Sequence, residues 1–502
     1  MSEITKNKLF YGWIIVAIAT LALVVSNGLS IGGIPVFYKF VQTDLVASGA
    51  VAPDKIQSVY GLAPALTFLL AGFLSPVAGF LLQKYNARRM MLIGCVILGA
   101  GLIIYSQANS PIKVYLAHAL LGTSLGFVGV LVSTVLVSNW FIKKRGMALG
   151  IVLTGTSFGG ALIPMIATPL IQNYGWRTAM LLLSLLILVV LLPAIIFLVK
   201  NRPSDLNLLP DGETNLESTE DKSAIRNPKS AIGMTLEEAL GTPMFWIFSI
   251  CAALIFYAIF VVSQQLTLYL QSPKIGFTPP QASSVQSLLF GLAIIGKFLF
   301  GWLADRFPPN RVMLISATTM FLSTLAFLYF NGQTVYVFAA LFGLNYGGTF
   351  VLLQLLVVEY FGVKEYGKIL GAVTVIETIG GALGTFITGK IADAHGGDYT
   401  QAFYGVIITA GLALIAVVFL NLFYNKFRRP MWLLPMILTP IVGAFVGVIA
   451  GPVFTEILKV ISGVEISLVL PMVIICLLIG LILGIMAGKK LKLRQINEPE
   501  LI

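Results

Sequence analysis

Lys143–Leu162 reads KKRGMALGIVLTGTSFGGAL, and Lys364–Leu383 reads KEYGKILGAVTVIETIGGAL. Gly146, Gly150, Gly159 and Gly160 recur as Gly367, Gly371, Gly380 and Gly381, each 221 positions further on. The register continues backward into the preceding apolar segment, where Gly122 and Gly126 map onto Gly343 and Gly347, and Trp140 maps onto Phe361. The chain is an internal duplication, and its two copies are expected to fold alike.

The composition around these copies sets the class. Hydrophobic residues make up 58% of the chain and charged residues 11%, with many apolar runs near bilayer length, which no soluble domain tolerates. Windows of about 20 residues predict an all-α polytopic membrane protein with spans near 11–38, 58–82, 90–107, 113–139, 147–171 and 178–199, then 243–271, 283–304, 311–331, 334–360, 367–389 and 400–424, and two more near 431–451 and 467–488. This divides the chain into a six-helix half (1–200), a linker (201–242), a second six-helix half (243–428), and an additional helix pair with a basic tail (429–502), fourteen spans in all.

The formal charge of +11 is scattered in short clusters between apolar segments, so it reads as membrane topology and excludes nucleic acid as a partner. With the N-terminus inside, 24 Lys and Arg fall in inside loops and seven at outside ends (Lys39, Lys55, Lys113, Arg177, Lys274, Lys390 and Lys459), which predicts cytoplasmic termini in a plasma or inner membrane. Lys6 and Lys8 precede a full-length apolar helix with no small-residue cleavage site, so the first helix is expected to remain. Cys95, Cys251 and Cys476 all fall within predicted spans, which argues against a disulfide framework or thiolate metal cluster. The Ser-, Asn-, Pro- and acid-rich stretch from Asn201 to Leu240 reads as a mostly flexible linker, with a short interfacial helix around Met234 to Leu240.

Gly301-Trp-Leu-Ala-Asp305-Arg306-Phe307 with Arg311, and its first-half counterpart GFLLQKYNARR at Gly79–Arg89, resemble the paired loop motifs of the major facilitator superfamily. The KKRGMALG loop and Gly175-Trp176-Arg177 bring the resemblance nearest to the oxalate/formate exchanger and monocarboxylate transporter branch, over residues 1 to about 428. Gln83 stands at the usual Asp position and Asn86 at a usual Gly. The resemblance implies a secondary transporter working by alternating access, with a substrate site between parallel repeats. It also implies a gate in which Gly301, Asp305, Arg306, Lys84 and Arg88 lock one conformation; for the cations, a purely orienting role is the alternative.

Two ionisable residues stand inside predicted helices, each against an insertion penalty of roughly 2.5 to 3.5 kcal/mol: Lys297 in the eighth and Glu377 in the eleventh. At 1.5 Å rise per residue they lie roughly 9 and 12 Å from the cytoplasmic helix ends, so they are expected to be able to meet. Lys297 occupies the position, four residues before the motif glycine, that the resembling branch uses for substrate carboxylate. Where the exchangers carry a second cation on the eleventh helix, this chain has Glu377, which favours a monocarboxylate entering with a proton; a permanent structural ion pair is the alternative. His118, four residues before Gly122, is a candidate proton relay or a neutral packing residue.

From the helices the resemblance assigns to the cavity come Asn27, Ser30, Thr123, Ser124, Tyr257, Gln264, Gln265, Asn345 and Tyr346, of which Asn27, Tyr257, Gln265, Asn345 and Tyr346 join Lys297 as the expected substrate-binding set. Gly291–Lys297 imitates a phosphate loop, but Phe298 replaces the Ser or Thr that would reach Mg²⁺, and no hydrolase or metal-ligand motif occurs, so neither an enzyme nor a cofactor is expected. The glycine stripes Gly443/Gly447/Gly451 and Gly480/Gly484/Gly488 invite close contact with the core, a second copy or an accessory protein. The expected partners are thus a small organic anion, protons and lipid, with proton-driven efflux of an amphipathic or cationic compound and transporter-like nutrient sensing as the competing functions.

Overall fold

The computed structural model describes residues 10–212, 233–329, 332–423 and 469–497, with Pro435, Thr439 and Pro440 between them. Within these residues the regular structure is helical, apart from one isolated backbone bridge between Gly233 and Gly362. The first half comprises α1 (Tyr11–Asn27), α2 (Pro35–Ala47), α3 (Ile56–Lys84), α4 (Ala87–Ser106), α5 (Pro111–Val128), α6 (Val130–Ser138), α7 (Arg145–Leu186) and α8 (Leu192–Leu198). After the short α9 (Leu236–Leu240), the second half comprises α10 (Pro243–Leu270), α11 (Pro279–Arg306), α12 (Pro309–Thr324), α13 (Thr334–Phe361), α14 (Tyr366–Ala394) and α15 (Thr400–Phe423), followed by α16 (Val469–Asn497).

Helix starts follow local chemistry. Proline opens α2, α5, α10, α11 and α12, where its missing N–H has no helical partner to lose. The Thr242 hydroxyl accepts the Phe245 N–H (3.2 Å) at the head of α10, and the Asn86 side chain accepts the Arg89 N–H (3.0 Å) at the head of α4.

Among the described residues, eleven stretches are long and apolar enough to cross a membrane. One of them, Arg145–Leu198, has 54 residues, about twice the requirement. It reverses at Gly175, where φ is 77° and ψ is 158°, a conformation that favours glycine. Counted as two, this stretch brings the candidate spans among the described residues between Tyr11 and Leu422 to twelve. The first span departs from its expected course: α1 ends in a π turn at Gly28–Gly32, and the chain restarts at Pro35 as α2. Two glycines followed by a proline supply the break.

Phe10, Lys84, Trp140, Leu198, Asp305 and Phe361 end up on one face, with the described parts of the linker, and Asp44, Lys55, Ser106, Lys274 and Ala394 on the opposite, far face. The duplication is visible in the packing. A Cβ on Gly122 would run into the Thr67 carbonyl, and one on Gly343 into the Leu289 carbonyl; Gly159 abuts α1 at Val24, and Gly380 abuts α10 at Ala253. Trp140 and Phe361 are both fully buried.

The linker was expected to be mostly loose, yet its described ends are docked, and onto repeat-equivalent loops. The Asp211 N–H donates to Trp140 O (3.0 Å), and the Met234 N–H donates to Phe361 O (2.7 Å). The Asp211 carboxylate accepts the Ile142 and Lys143 N–H groups (2.8 and 2.7 Å), while the Glu365 carboxylate accepts the Leu236 N–H (2.8 Å) and pairs with Lys368 (2.6 Å). The interfacial helix expected near Met234 to Leu240 is α9, capped by Thr235 and Glu238 in a reciprocal pair. Residues 213–232 lie outside the described residues.

Of the helix pair expected at the C-terminus, the second is α16, and the first, with Gly443, Gly447 and Gly451, lies outside the described residues save Pro435, Thr439 and Pro440. Gly480 meets that earlier segment: its carbonyl accepts the Thr439 hydroxyl at 2.8 Å, and a Cβ there would strike the Thr439 and Pro440 backbone. At the linker face, Lys490 on α16 reaches Glu237 on α9 at 2.5 Å. Burial pushes the Glu237 carboxyl up, but hydrogen bonding and charge from Lys490, with further local hydrogen bonds, outweigh it and hold the group below the usual carboxylate range.

Candidate functional site

The two halves meet along two long antiparallel seams, α3 against α14 and α7 against α11. In the first, the Asp393 carboxylate accepts the N–H groups of Gln57 and Ser58 (2.8 and 2.7 Å) at the start of α3, and Tyr399 donates to Gln57 Oε1 (2.6 Å). Gly61 then lies against Thr385 and Gly389, and Gly72 against Thr378. In the second, Thr168 and Ser283 share a hydrogen bond of 2.5 Å, and Gly160 sits against the ring of Phe290. Between the seams, Gln264 donates to Ile31 O (3.0 Å) and accepts from Tyr38 (2.8 Å), Gln265 donates to Tyr60 O (2.7 Å), Thr267 to Pro35 O (3.1 Å), and Gln286 to Gly32 O (3.2 Å). Phe68 stacks on Phe260 across the interface with ring centroids 3.5 Å apart. These contacts gather toward the far face, so this conformation is closed there.

Lys297 reaches further toward the linker face than any of them. From α11 its ammonium donates to the Leu153 carbonyl (2.8 Å) and the Thr156 hydroxyl (2.5 Å), both on α7 of the other half. Glu377 is buried at 6% exposure on α14, one residue before the Thr378 that abuts Gly72 of α3. Among the described residues no ion pair joins Lys297 and Glu377, and the expected meeting of the two charges is not made here: Lys297 bonds to α7, whereas Glu377 lies on α14, which packs against α3. The helices that carry them pack on different helices of the first half, α11 on α7 and α14 on α3. Thr156 was missed by sequence reasoning, although it lies 221 residues before Glu377 and so holds the equivalent position in the first copy.

The remaining candidates divide. Asn27 is buried beside Ser26 at the end of α1, and Ser30 lies buried in the π turn that follows. Thr123 and Ser124 return their hydroxyls to carbonyls of their own helix, Ala119 and Leu121. Gln264 and Gln265 act in this conformation as bonds across the far-face closure. Asn345, expected at the substrate, is instead used up inside the second half: its Oδ1 accepts from Ser316 (3.1 Å) and Thr319 (2.8 Å), and its amide donates to Leu341 O (2.8 Å). Tyr346 packs edge-on against Phe290 and Phe350. Tyr257 is turned toward α14 and α15, beside Gly384 and with its hydroxyl near Gly405. His118 is fully buried, with Nδ1 2.9 Å from the Thr67 hydroxyl and its ring between Tyr38 and Tyr105, the setting of a packed neutral histidine.

The expected gate residues make their described contacts within single halves. Arg88 binds Asn201 through its backbone N–H (3.0 Å) and the Ile196 carbonyl through its guanidinium. Arg306 lies 3.8 Å over the Trp302 ring, Lys84 lies 5.7 Å over Tyr85, Asp305 is exposed, and a Cβ on Gly301 would meet Val351 at an ordinary 3.8 Å. The side chain of Gln83 lies outside the described residues. At the far face, the Trp176 indole donates to Asp44 (2.8 Å), and Arg177 pairs with the same carboxylate, fastening the reversal at Gly175 to α2.

The model of the Major Facilitator Superfamily matches residues 16–276 and 272–497. The chain belongs to that family, a family of transporters rather than enzymes, and is a multi-pass membrane protein. It is 28% identical to "Monocarboxylate transporter 13" of Rattus norvegicus over 68% of this chain and 74% of that protein. It is 26% identical to "Membrane sensor protein UhpC" of Salmonella typhimurium over 75% of this chain and 86% of that one. Among solved structures, a bacterial homolog to the human lysosomal transporter Spinster, inward-facing and unoccupied, has the same fold, with a TM-score of 0.61 at 15% identity over 84% of this chain and 98% of that chain.

Proposed function

We propose that this member of the Major Facilitator Superfamily carries a small organic monocarboxylate together with a proton, by alternating access. The observation that carries the reading is Lys297: a half-buried ammonium in a membrane helix, reaching across to the other half, held among the described residues by neutral oxygens. A cation so placed wants an anion, and an ammonium binds a carboxylate as a point charge without demanding two-pronged geometry. The similarity to a protein named as a monocarboxylate transporter supports the same substrate class. Glu377 supplies the coupling. An unpaired charge in the membrane interior is costly, and a proton taken up by this buried carboxyl removes it before the substrate-loaded halves move. His118 is a secondary candidate on the proton's path.

The sequence assigns 24 basic residues to the loops on one side of the membrane and seven to the other, which makes the linker face cytoplasmic in this reading and the conformation described closed to the outside. Asp305, Arg306, Gly301, Lys84 and Arg88 then belong to the inner gate, which closes when the outer one opens. The likeness to a protein named as a sensor favours one second reading, in which the carrier fold binds its ligand without flux and signals through the linker.

Uptake of radiolabelled monocarboxylates into proteoliposomes under an imposed pH gradient tests these readings. Accumulation that collapses when the gradient is dissipated is the expected result. Extrusion of lipophilic cations would replace the reading with efflux, and saturable binding without uptake would replace it with sensing.

A further inference from the structure

We infer that Thr156, with the Leu153 carbonyl, is the resting ligand of Lys297, so that substrate and the first half of the protein compete for one ammonium and anion binding unfastens the α7/α11 seam. The inference rests on the carboxylate reading above for the identity of the competitor; the latch itself rests on geometry. Both acceptors belong to α7, both are uncharged, and the donor belongs to α11, so this pair of bonds ties the halves together. The tie lies nearer the linker face than Gly160–Phe290 and Thr168–Ser283 on the same seam, where it resists separation of the two helices over their deepest shared stretch.

A carboxylate is a stronger partner for an ammonium than a carbonyl and a hydroxyl. When one arrives, Lys297 turns to it and α7 is released. The coupling is reciprocal: whatever the latch contributes to holding the seam, it subtracts from affinity for the anion. Losing the Thr156 hydroxyl is then predicted to do two things at once, loosening the seam and tightening anion binding. Ordinary packing damage loosens a seam and weakens binding, so the opposed signs separate a latch from a structural contact.

The test uses the full chain in lipid nanodiscs, comparing the parent with Thr156→Val, Thr156→Ser and Lys297→Met. Valine keeps the shape and removes the acceptor, serine keeps the acceptor, and methionine removes the donor. Affinity is measured calorimetrically for sodium acetate, lactate and pyruvate. Seam separation is measured without added anion, as the distance between spin labels at Met147 and Phe307, exposed at the linker-face ends of α7 and α11, with the three native cysteines replaced by alanine. The expected result is binding about tenfold tighter in Thr156→Val, the effect of one hydrogen bond to a charged group, unchanged binding in Thr156→Ser, and none in Lys297→Met, with longer distances in Thr156→Val and Lys297→Met. Unaltered distances in both, or weaker anion binding in Thr156→Val, overturn the latch. Longer distances with no binding of any of the three anions by the parent uphold the latch and remove the carboxylate reading.

Discussion

The seams α3/α14 and α7/α11 occupy equivalent places in a duplicated chain, yet they are built from different chemistry. The first is sealed by backbone proximity, with Gly61 against Thr385 and Gly389 and a carboxylate cap from Asp393, and it buries Glu377 with no charged partner among the described residues. The second is joined by side chains, with Thr168–Ser283 near the far face and the long reach of Lys297 to α7 nearer the linker face. Position 156 of the second seam is equivalent to position 377 of the first, displaced by 221, and the two copies differ there, a neutral hydroxyl in one and an acid in the other. Both membrane charges now belong to the second half. The difference teaches that two seams of one fold can carry different chemistry, and on the function proposed above one serves the anion and the other the proton.

Substitution at the polar seam is expected to have the largest effect. Lys297→Ala removes a charged partner worth roughly 3 kcal/mol, so uptake should fall by a factor of about 100 or more, while Lys297→Arg retains charge with altered geometry and keeps part of the activity. Equal, full transport by both in a flux assay would remove Lys297 from the substrate site. At the other seam, Glu377→Gln mimics the protonated form: accumulation driven by a pH gradient should vanish while exchange of labelled for unlabelled substrate persists. Undiminished uphill uptake would leave Glu377 a structural residue and erase the division between the seams.

Gly61→Ala addresses the glycine contact directly. Its new Cβ would lie 2.7 Å from Thr385 O and 2.9 Å from the Gly389 Cα, backbone atoms that cannot swing aside. The far-face closure should lose about 1–3 kcal/mol, read as a lower melting temperature and faster maleimide labelling of a cysteine placed at Gln57. Unchanged labelling would show that this seam tolerates separation. A smaller quantity tests whether the seams are independent: because Lys297 and Glu377 do not touch, the stability losses of their alanine variants should add to within about 0.5 kcal/mol in the double variant, whereas relief in the double variant would mean that they pair in another conformation.

The least effect is expected outside the membrane. Burial pushes the Glu365 carboxyl up, but the Lys368 ammonium and the Leu236 N–H outweigh it and hold the group below the usual carboxylate range. A depressed native value means that its contribution is complete above the unfolded value of about 4.3 and is lost as pH falls through the native one. Linker docking should therefore be intact at neutral pH and loosen as pH falls below the unfolded carboxylate range, and Glu365→Gln should reproduce the acid state at pH 7, as faster hydrogen exchange at Leu236.

Much of this architecture was legible because membranes impose coarse rules. Apolar runs of bilayer length mark spans, and a charge inside one is conspicuous, which is how Lys297 and Glu377 stand out. What Lys297 binds was not legible, since a backbone carbonyl has no sequence signature and a membrane threonine usually bonds its own helix, as Thr123 does. Comparing the copies residue by residue would have flagged Thr156. The partners of Asn345 and Tyr257 were not legible for a related reason: a polar side chain on a cavity helix has several faces to choose from, and in this conformation these two meet residues of α12, α14 and α15. Gln264 and Gln265 were found, but as bonds of the closed gate, a role that depends on conformation and so is absent from sequence.

The placement of both ionisable groups on one half also bears on electrical behaviour. Each elementary charge moved through the full membrane field exchanges about 2.3 kcal/mol per 100 mV. On the proposed cycle, the empty second half moves with an ammonium and a carboxylate aboard, and the loaded one moves with an ammonium, a substrate anion and a neutral acid. Both sums are zero. Membrane voltage then does no work on either leg, and the carrier is driven by the chemical gradients of acid and substrate alone.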